Sequence, residues 1–156
     1  MIEVVPVRIP TIPVPVTVTM GDGRLVEMTF YLAAASPFHD GPETMDEYLS
    51  SPRRFVPART ADGRSHLVGL EAVASVVVPR DAPLLSRLPG WVVTSLDFVR
   101  LRLSSGAAVE GMIVASRPPE SARLSDIFNE DEPFAVIEGS SGVIFVRKSA
   151  ISEVEI

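Results

Sequence analysis

The chain repeats itself. Val16-Thr-Val-Thr-Met-Gly-Asp-Gly23-Arg-Leu-Val26-Glu27 lies over Val99-Arg-Leu-Arg-Leu-Ser-Ser-Gly106-Ala-Ala-Val109-Glu110, with identity at Val16/Val99, Gly23/Gly106, Val26/Val109 and Glu27/Glu110. Downstream, Met45–Ser50 lies over Leu124–Asn129, Phe55 over Phe134, Gly63 over Gly142, and Ala72–Val78 over Ala150–Ile156. The offset drifts from 83 at Gly23/Gly106 to 79 at Phe55/Phe134 and 78 at Ala72/Ala150. The drift falls between segments of strand character, where insertions are tolerated. A repeat of this length constrains the fold strongly, because each copy has room for only a few short elements around a small core.

Residue patterning says what those elements are. Val99, Leu101 and Leu103 alternate with Arg100 and Arg102, the period of a half-buried strand. Ser104-Ser105-Gly106 supplies a turn, and Ala107–Ala115 is the hairpin partner, with curvature expected at Gly111. A one- or two-turn helix is expected from Leu124 or Ser125 to Asn129. Strands at Phe134–Glu138 and Val143–Arg147 flank the turn Gly139–Gly142, and a turn at Lys148–Ala150 leads to a last strand, Ile151–Ile156. The first copy follows the same plan, with strands at Val14–Met20, Arg24–Leu32, Arg54–Thr60, Ser65–Val68 and Val73–Val78 and a helix near Thr44–Ser50. Pro10, Pro13 and Pro15 make Ile9–Pro15 an edge or an extended lead-in. The expected class is therefore all-β with a minor helix, in two tandem five-stranded barrels, each with a short helix between its second and third strands. Closure into barrels would remove exposed edges. The boundaries fall at 1–83, including a Pro-rich N-terminal strand, and 84–156, with Pro79–Gly90 as linker and a helical turn at Leu84–Leu88 within it. The core set is Leu101, Val109, Ile113, Phe134, Phe145 and Val154, with Val18, Val26, Phe30, Phe55 and Val76 as counterparts.

The second copy resembles the Sm-like small β-barrel, a fold akin to SH3-like barrels. Val99, Leu101, Leu103, Gly106, Val109, Gly111 and Ile113 match the skeleton of that family's first motif. Val146-Arg147-Lys148-Ser149-Ala150-Ile151 matches its second, with Lys148 in place of a Gly, while Gly69 stands where the Arg should be in the first copy. The Asp and Asn that line the family's uridine pocket have no equivalent at the right spacing; Arg117-Pro118-Pro119-Glu120 and the helix come instead. Arg123-Leu124-Ser125-Asp126-Ile127-Phe128-Asn129, followed by Phe134, is also similar to uncharacterised bacterial small-barrel domains with an Arg-Leu-Ser-Asp-x-(Leu/Phe)-Asn signature. The resemblance implies association through edge strands, and carries no known activity.

Composition narrows the chemistry. With no cysteine, disulfides, thiolate nucleophiles and Cys-based metal sites are excluded. The net charge of −6 divides evenly, since 1–83 and 84–156 each hold seven basic and ten acidic residues. An acidic chain is repelled by phosphate backbones unless its basic groups cluster. Arg53-Arg54, Arg100 with Arg102, and Arg147-Lys148 are the only basic pairs, and no aromatic ladder interleaves with them, so nucleic acid is an unfavoured partner. His39-Asp40-Gly-Pro-Glu43 is the one acid–histidine cluster, half a metal site or general base at most, and reads better as a solvated loop. His66 reads as a strand residue aligned with Phe145. Glu27 and Glu110 read as cross-strand partners for Arg, and Glu130-Asp131-Glu132 as a solvated loop. No nucleotide-binding or nucleophile-elbow pattern occurs. The expectation is a non-catalytic interaction or scaffolding module without cofactor or metal, homo-oligomeric through its edge strands, with an Sm-like RNA binder as the alternative. Its candidate interaction surface comprises Arg100, Arg102, Asp126, Asn129, Arg147 and Lys148. The opening segment has no signal-peptide pattern and no apolar run is long enough to span a bilayer, so a cytoplasmic location is expected.

Overall fold

The computed structural model describes residues 10–80, 97–114 and 124–156. Its ten strands are β1 (Thr11–Met20), β2 (Leu25–Ala33), β3 (Phe55–Thr60), β4 (Ser65–Gly69), β5 (Val73–Val78), β6 (Phe98–Leu103), β7 (Ala108–Val114), β8 (Phe134–Gly139), β9 (Gly142–Arg147) and β10 (Ile151–Glu155). All pairings are antiparallel, and the strands form one open sheet in the order β10-β6-β7-β8-β9-β5-β1-β2-β3-β4. Two short α-helices, α1 (Met45–Leu49) and α2 (Leu124–Asn129), each follow the second strand of their half. The chain is thus all-β with minor helix, as its alternation and turn residues require.

Both halves run through the same strand order, fifth-first-second-third-fourth. The likeness extends to single hydrogen bonds. Gly23 and Gly106, at φ 93° and 92°, close the first hairpin by donating to the carbonyls of Met20 and Leu103, each at 2.9 Å. Gly21 donates to Ala72 at 2.7 Å, and Ser104 donates to Ala150 at 2.8 Å. A bulge opposes the end of the first strand in both copies, between Val73 and Ser75 and between Ile151 and Glu153. The last step of the offset drift falls in the third hairpin turn, which is one residue shorter in the second half.

Two closed barrels joined only by a linker were expected; the sheet is instead continuous and open. β5 pairs with β9 from Ser75↔Val146 to Val78↔Val143, so the fifth strand of the first half and the fourth of the second form a seam. The cause lies in their side chains. Parallel sheets bury strands on both faces and make them continuously apolar, and the same physics applies here to antiparallel ones. On β5, Val73, Val76 and Val78 enter the first core while Ala74 enters the second. On β8 and β9, Phe134 and Phe145 enter the first core, and Ala135, Ile137, Ile144 and Val146 the second. Each core therefore borrows side chains from the other half.

Pro13 and Pro15 lie inside β1, yet they obey the edge rule. β5 pairs only with Thr17–Met20, so among the described residues the earlier part of β1 is bonded to β2 alone. Met20 donates to Arg24 across that hairpin, so even-numbered residues bond β2 and the imino nitrogens of Pro13 and Pro15 face the side that has no strand among the described residues.

The core set mostly holds. Leu101, Ile113, Phe134, Phe145, Val18, Phe30 and Val76 are buried, and Val26, Val109 and Val154 are half-buried against the cores. Phe55 is the correction. It is 60% exposed, because among the described residues its side of β3 has no strand packed over it, whereas its counterpart Phe134 is covered by the first half. The register also moves one match. Val56↔Val68 corresponds to Ala135↔Val146, so His66 matches Ile144 and Leu67 matches Phe145. The helical turn at Leu84–Leu88, the segment Arg117–Glu120, and the N-terminal residues Ile2–Val7 lie outside the described residues.

Candidate interaction surface

The six residues singled out from sequence do not converge. Arg100 and Arg102 are exposed on β6, where Arg100 stands between Glu110 of β7 and Glu155 of β10, and Arg102 stands beside Glu153. Glu110 thus occupies the cross-strand position expected of it, and acidic neighbours offset the field of the two arginines. Asp126 and Asn129 are exposed on α2, with Asn129 Nδ2 donating to the carbonyl of Ser125 at 2.8 Å. β6 and β9 are separated by β7 and β8.

Arg147 and Lys148 serve the fold. Arg147 Nε donates to the Val73 carbonyl at 3.0 Å, its terminal nitrogen bonds the Leu70 carbonyl, and the guanidinium lies 4.6 Å from the Phe134 ring centre. It fastens β9 to the start of β5. Burial lowers its pKa from the ordinary value, opposed by the Glu71 charge. Lys148 Nζ donates to Ile127 at 2.8 Å and Glu130 at 3.2 Å, satisfying carbonyls at the end of α2.

Among the described residues the sheet has two edges without a partner strand, β4 and β10. The outer face beside β4 carries Phe55 at 60% and Leu67 at 74% exposure, with Pro57 exposed between them. These are the counterparts of Phe134, Phe145 and Val136, which the seam covers. At the other edge Val154 is half-buried and Ile156 is 87% exposed, where their counterparts Val76 and Val78 are fully buried. Natural edges are usually blunted, and an apolar one marks a place where another chain can add. The patterning missed this surface by assigning Phe55 to the core. The available signal was the contrast between the unbroken apolar runs of β5 and β9 and the mixed ones of β4 and β10.

The acid–histidine loop closes on a different acid from the one its spacing suggests. His39 Nε2 meets Glu47 Oε1 at 2.5 Å, and its Nδ1 lies 3.0 Å from the Asp40 carbonyl. Glu47 also accepts from Thr44 N–H at 3.3 Å, from Thr44 Oγ1 at 2.9 Å and from Ser36 Oγ at 2.8 Å, tying the loop to the start of α1. The Asp40 carbonyl raises the pKa of His39, and the Glu47 carboxylate adds to it. Burial pushes Glu47 up, but the bonds from His39, Ser36 and Thr44 outweigh it and hold its pKa below the usual value. The signs follow from linkage. The histidine's contribution to stability is full below about pH 6.5 and fades as pH rises through its raised pKa, while that of Glu47 is lost as pH falls below its depressed one. An NMR titration should place His39 above its ordinary value, and Glu47→Gln should bring it down. A wild-type value at or below the ordinary one would show that the pair does not form. Tyr48 is buried in the first core, and burial pushes its hydroxyl up to about 12, so it stays neutral. Among the described residues no cluster of three or more His, Cys, Asp or Glu side chains is placed to hold a metal, and no helix is long and apolar enough to cross a membrane.

In comparisons with family models, curated proteins and solved structures, none matches the chain.

Proposed function

We propose that the chain is a non-catalytic interaction or scaffolding module, built as two tandem Sm-like halves of one open sheet, that carries its partners on the outer edges of that sheet. One observation supports this above the others. Phe134 and Phe145 are covered at the seam, while Phe55 and Leu67, at the same places in the first half, are 60% and 74% exposed. The chain already uses this surface once for docking and leaves its second copy open among the described residues. The Sm-like RNA-binding alternative has weaker support, since Arg100 and Arg102 stand in register with Glu110, Glu153 and Glu155.

The test places a photo-crosslinking side chain at Leu67, in cells of the native host, with Arg24 on the exposed first hairpin as control. Protein adducts at Leu67 in excess over Arg24 are expected. Adducts at neither position, or salt-sensitive binding of the purified chain to heparin or oligo-uridine, would overturn the reading; the second result would favour RNA.

A further inference from the structure

We infer that the open β3–β4 hairpin of the first half receives an acidic peptide segment carrying apolar side chains, laid on the outer face beside Phe55 and Leu67. This rests on the interaction-module reading and names the chemistry of the partner. Charge separates the two copies of the hairpin as exposure does. Residues 50–69 hold Arg53, Arg54, Arg59 and Arg64 against Asp62, whereas their counterparts, 129–147, hold Glu130, Asp131, Glu132 and Glu138 against Arg147. The sign reverses between two segments of the same design, inside halves of equal net charge. By the strand register Arg59 stands where Glu138 stands, and Arg53 and Phe55 where Glu132 and Phe134 stand. Asp62 is engaged by Arg64 at 3.5 Å, and among the described residues no carboxylate pairs with Arg53, Arg54 or Arg59.

The seam shows what covers such a hairpin. There the first half brings Arg80 to the hairpin's acid, its Nε 3.7 Å from Glu138 and a terminal nitrogen bonded to the Gly139 carbonyl. Apolar cover over Phe134 and Phe145 arrives together with a charge opposite to the hairpin's own. With Arg59 at the position of Glu138, the complementary cover carries a carboxylate. The apolar part of the site lies beside it. Phe55, Pro57 and Arg59 alternate onto one face of β3, with Leu67 opposite Pro57 on β4 and Thr29 opposite Arg59 on β2. The Phe55 ring lies over Gly69, which has no side chain to lift it from the sheet.

A polynucleotide fits this face less well. Pro57 and Leu67 offer no aromatic plane on which bases stack. Exposed carboxylates also bound the patch, Glu27 two residues before Thr29 on the same face of β2 and Glu71 two residues after Gly69. A run of phosphates longer than the hairpin would meet them, whereas a short acidic segment would not.

Random peptides displayed on phage and selected on the purified full chain should enrich segments that combine aspartate or glutamate with leucine, isoleucine or phenylalanine. In fluorescence anisotropy a labelled peptide from that selection should bind roughly tenfold more weakly to Arg59→Glu and to Phe55→Ser, the loss of one charge contact or one apolar anchor. Both positions are exposed, and glutamate already stands at the place of Arg59 in β8, so both variants should melt as the wild type does. Arg24→Glu, on the first hairpin, should bind the peptide unchanged. Replacing the peptide's acids with lysine should reverse the order, so that Arg59→Glu binds it more tightly than the wild type. A selection that returns no peptide, or peptides without acidic residues, would overturn the inference, as would equal affinity for wild type and Arg59→Glu. Oligo-uridine that competes for the face and loses its hold with Arg59→Glu would assign it to RNA instead. Dimers in light scattering that Arg59→Glu dissolves would assign it to a second copy. A failed selection with a Leu67 probe that still captures a host protein leaves the interaction-module reading standing; a failed selection with no protein adduct removes both.

Discussion

Phe134→Ala is expected to cost about 3–5 kcal/mol, the usual loss for an aromatic removed from a packed core, while Phe55→Ala should change stability by no more than about 0.5 kcal/mol, as at an open surface. The two residues occupy the same position of the repeat and begin matching strands. Only their surroundings differ. Phe134 is 7% exposed and packs into the first core under the Arg147 guanidinium, whereas Phe55 is 60% exposed. Truncating Phe134 leaves a cavity between the halves and deprives that guanidinium of its ring. Urea melts at concentrations that keep the chain monomeric decide the matter, with midpoints read at constant slope. Equal losses at the two positions would mean that repeat position, and not the seam, governs burial. A loss under about 1 kcal/mol at Phe134 would remove the seam altogether.

The strands, the turns and both helices were legible because each rests on local chemistry. Alternation of Val99, Leu101 and Leu103 needs only one buried face, Gly23 and Gly106 need only a turn at positive φ, and the helix at Leu124–Asn129 needs only a start and a stop, which the repeat carries over to Thr44–Ser50. The joining of the halves was not legible in the same way, since it depends on a pairing between residues about 70 positions apart. Yet the sequence carried a trace of it. Val73-Ala-Ser-Val-Val-Val78 is apolar on both faces except for Ser75, while its counterpart Ile151-Ser-Glu-Val-Glu-Ile156 alternates. Likewise Val143–Val146 is unbroken where Ser65-His-Leu-Val68 is mixed. Two strands that lose their polar face in one copy only are strands that have gained a second neighbour. Arg147 misled because a basic pair at the end of a strand reads as surface, but this guanidinium is spent on the carbonyls of Val73 and Leu70. Arg100 and Arg102 were placed correctly on an exposed face, and what the pattern could not show was the acidic residues beside them.

Gly142→Ala should be the most damaging single methyl that can be added at the seam. Gly142 holds φ at 146°, where an L-residue is strained, and an added Cβ would collide with the Val78 carbonyl oxygen and lie 3.1 Å from its carbon. Both obstacles are backbone, so no side-chain rotation relieves them. Gly63, which the sequence aligns with it although the strand register puts Arg64 at its place, also has positive φ, at 82°, but nothing lies within 4 Å of the position a Cβ would take. The pair therefore separates two costs. Gly63→Ala should lose about 1–2 kcal/mol for the left-handed backbone alone. Gly142→Ala should lose that plus about 1–3 kcal/mol for overpacking. The excess is specific to the β5–β9 contact, because the obstructing backbone belongs to Val78, which pairs with Val143 at the end of that contact. Parting those strands would also uncouple the halves, so Gly142→Ala should broaden or split a single denaturation transition while Gly63→Ala leaves it sharp. Equal losses with equally sharp transitions would show that the two halves do not depend on the seam for their folding.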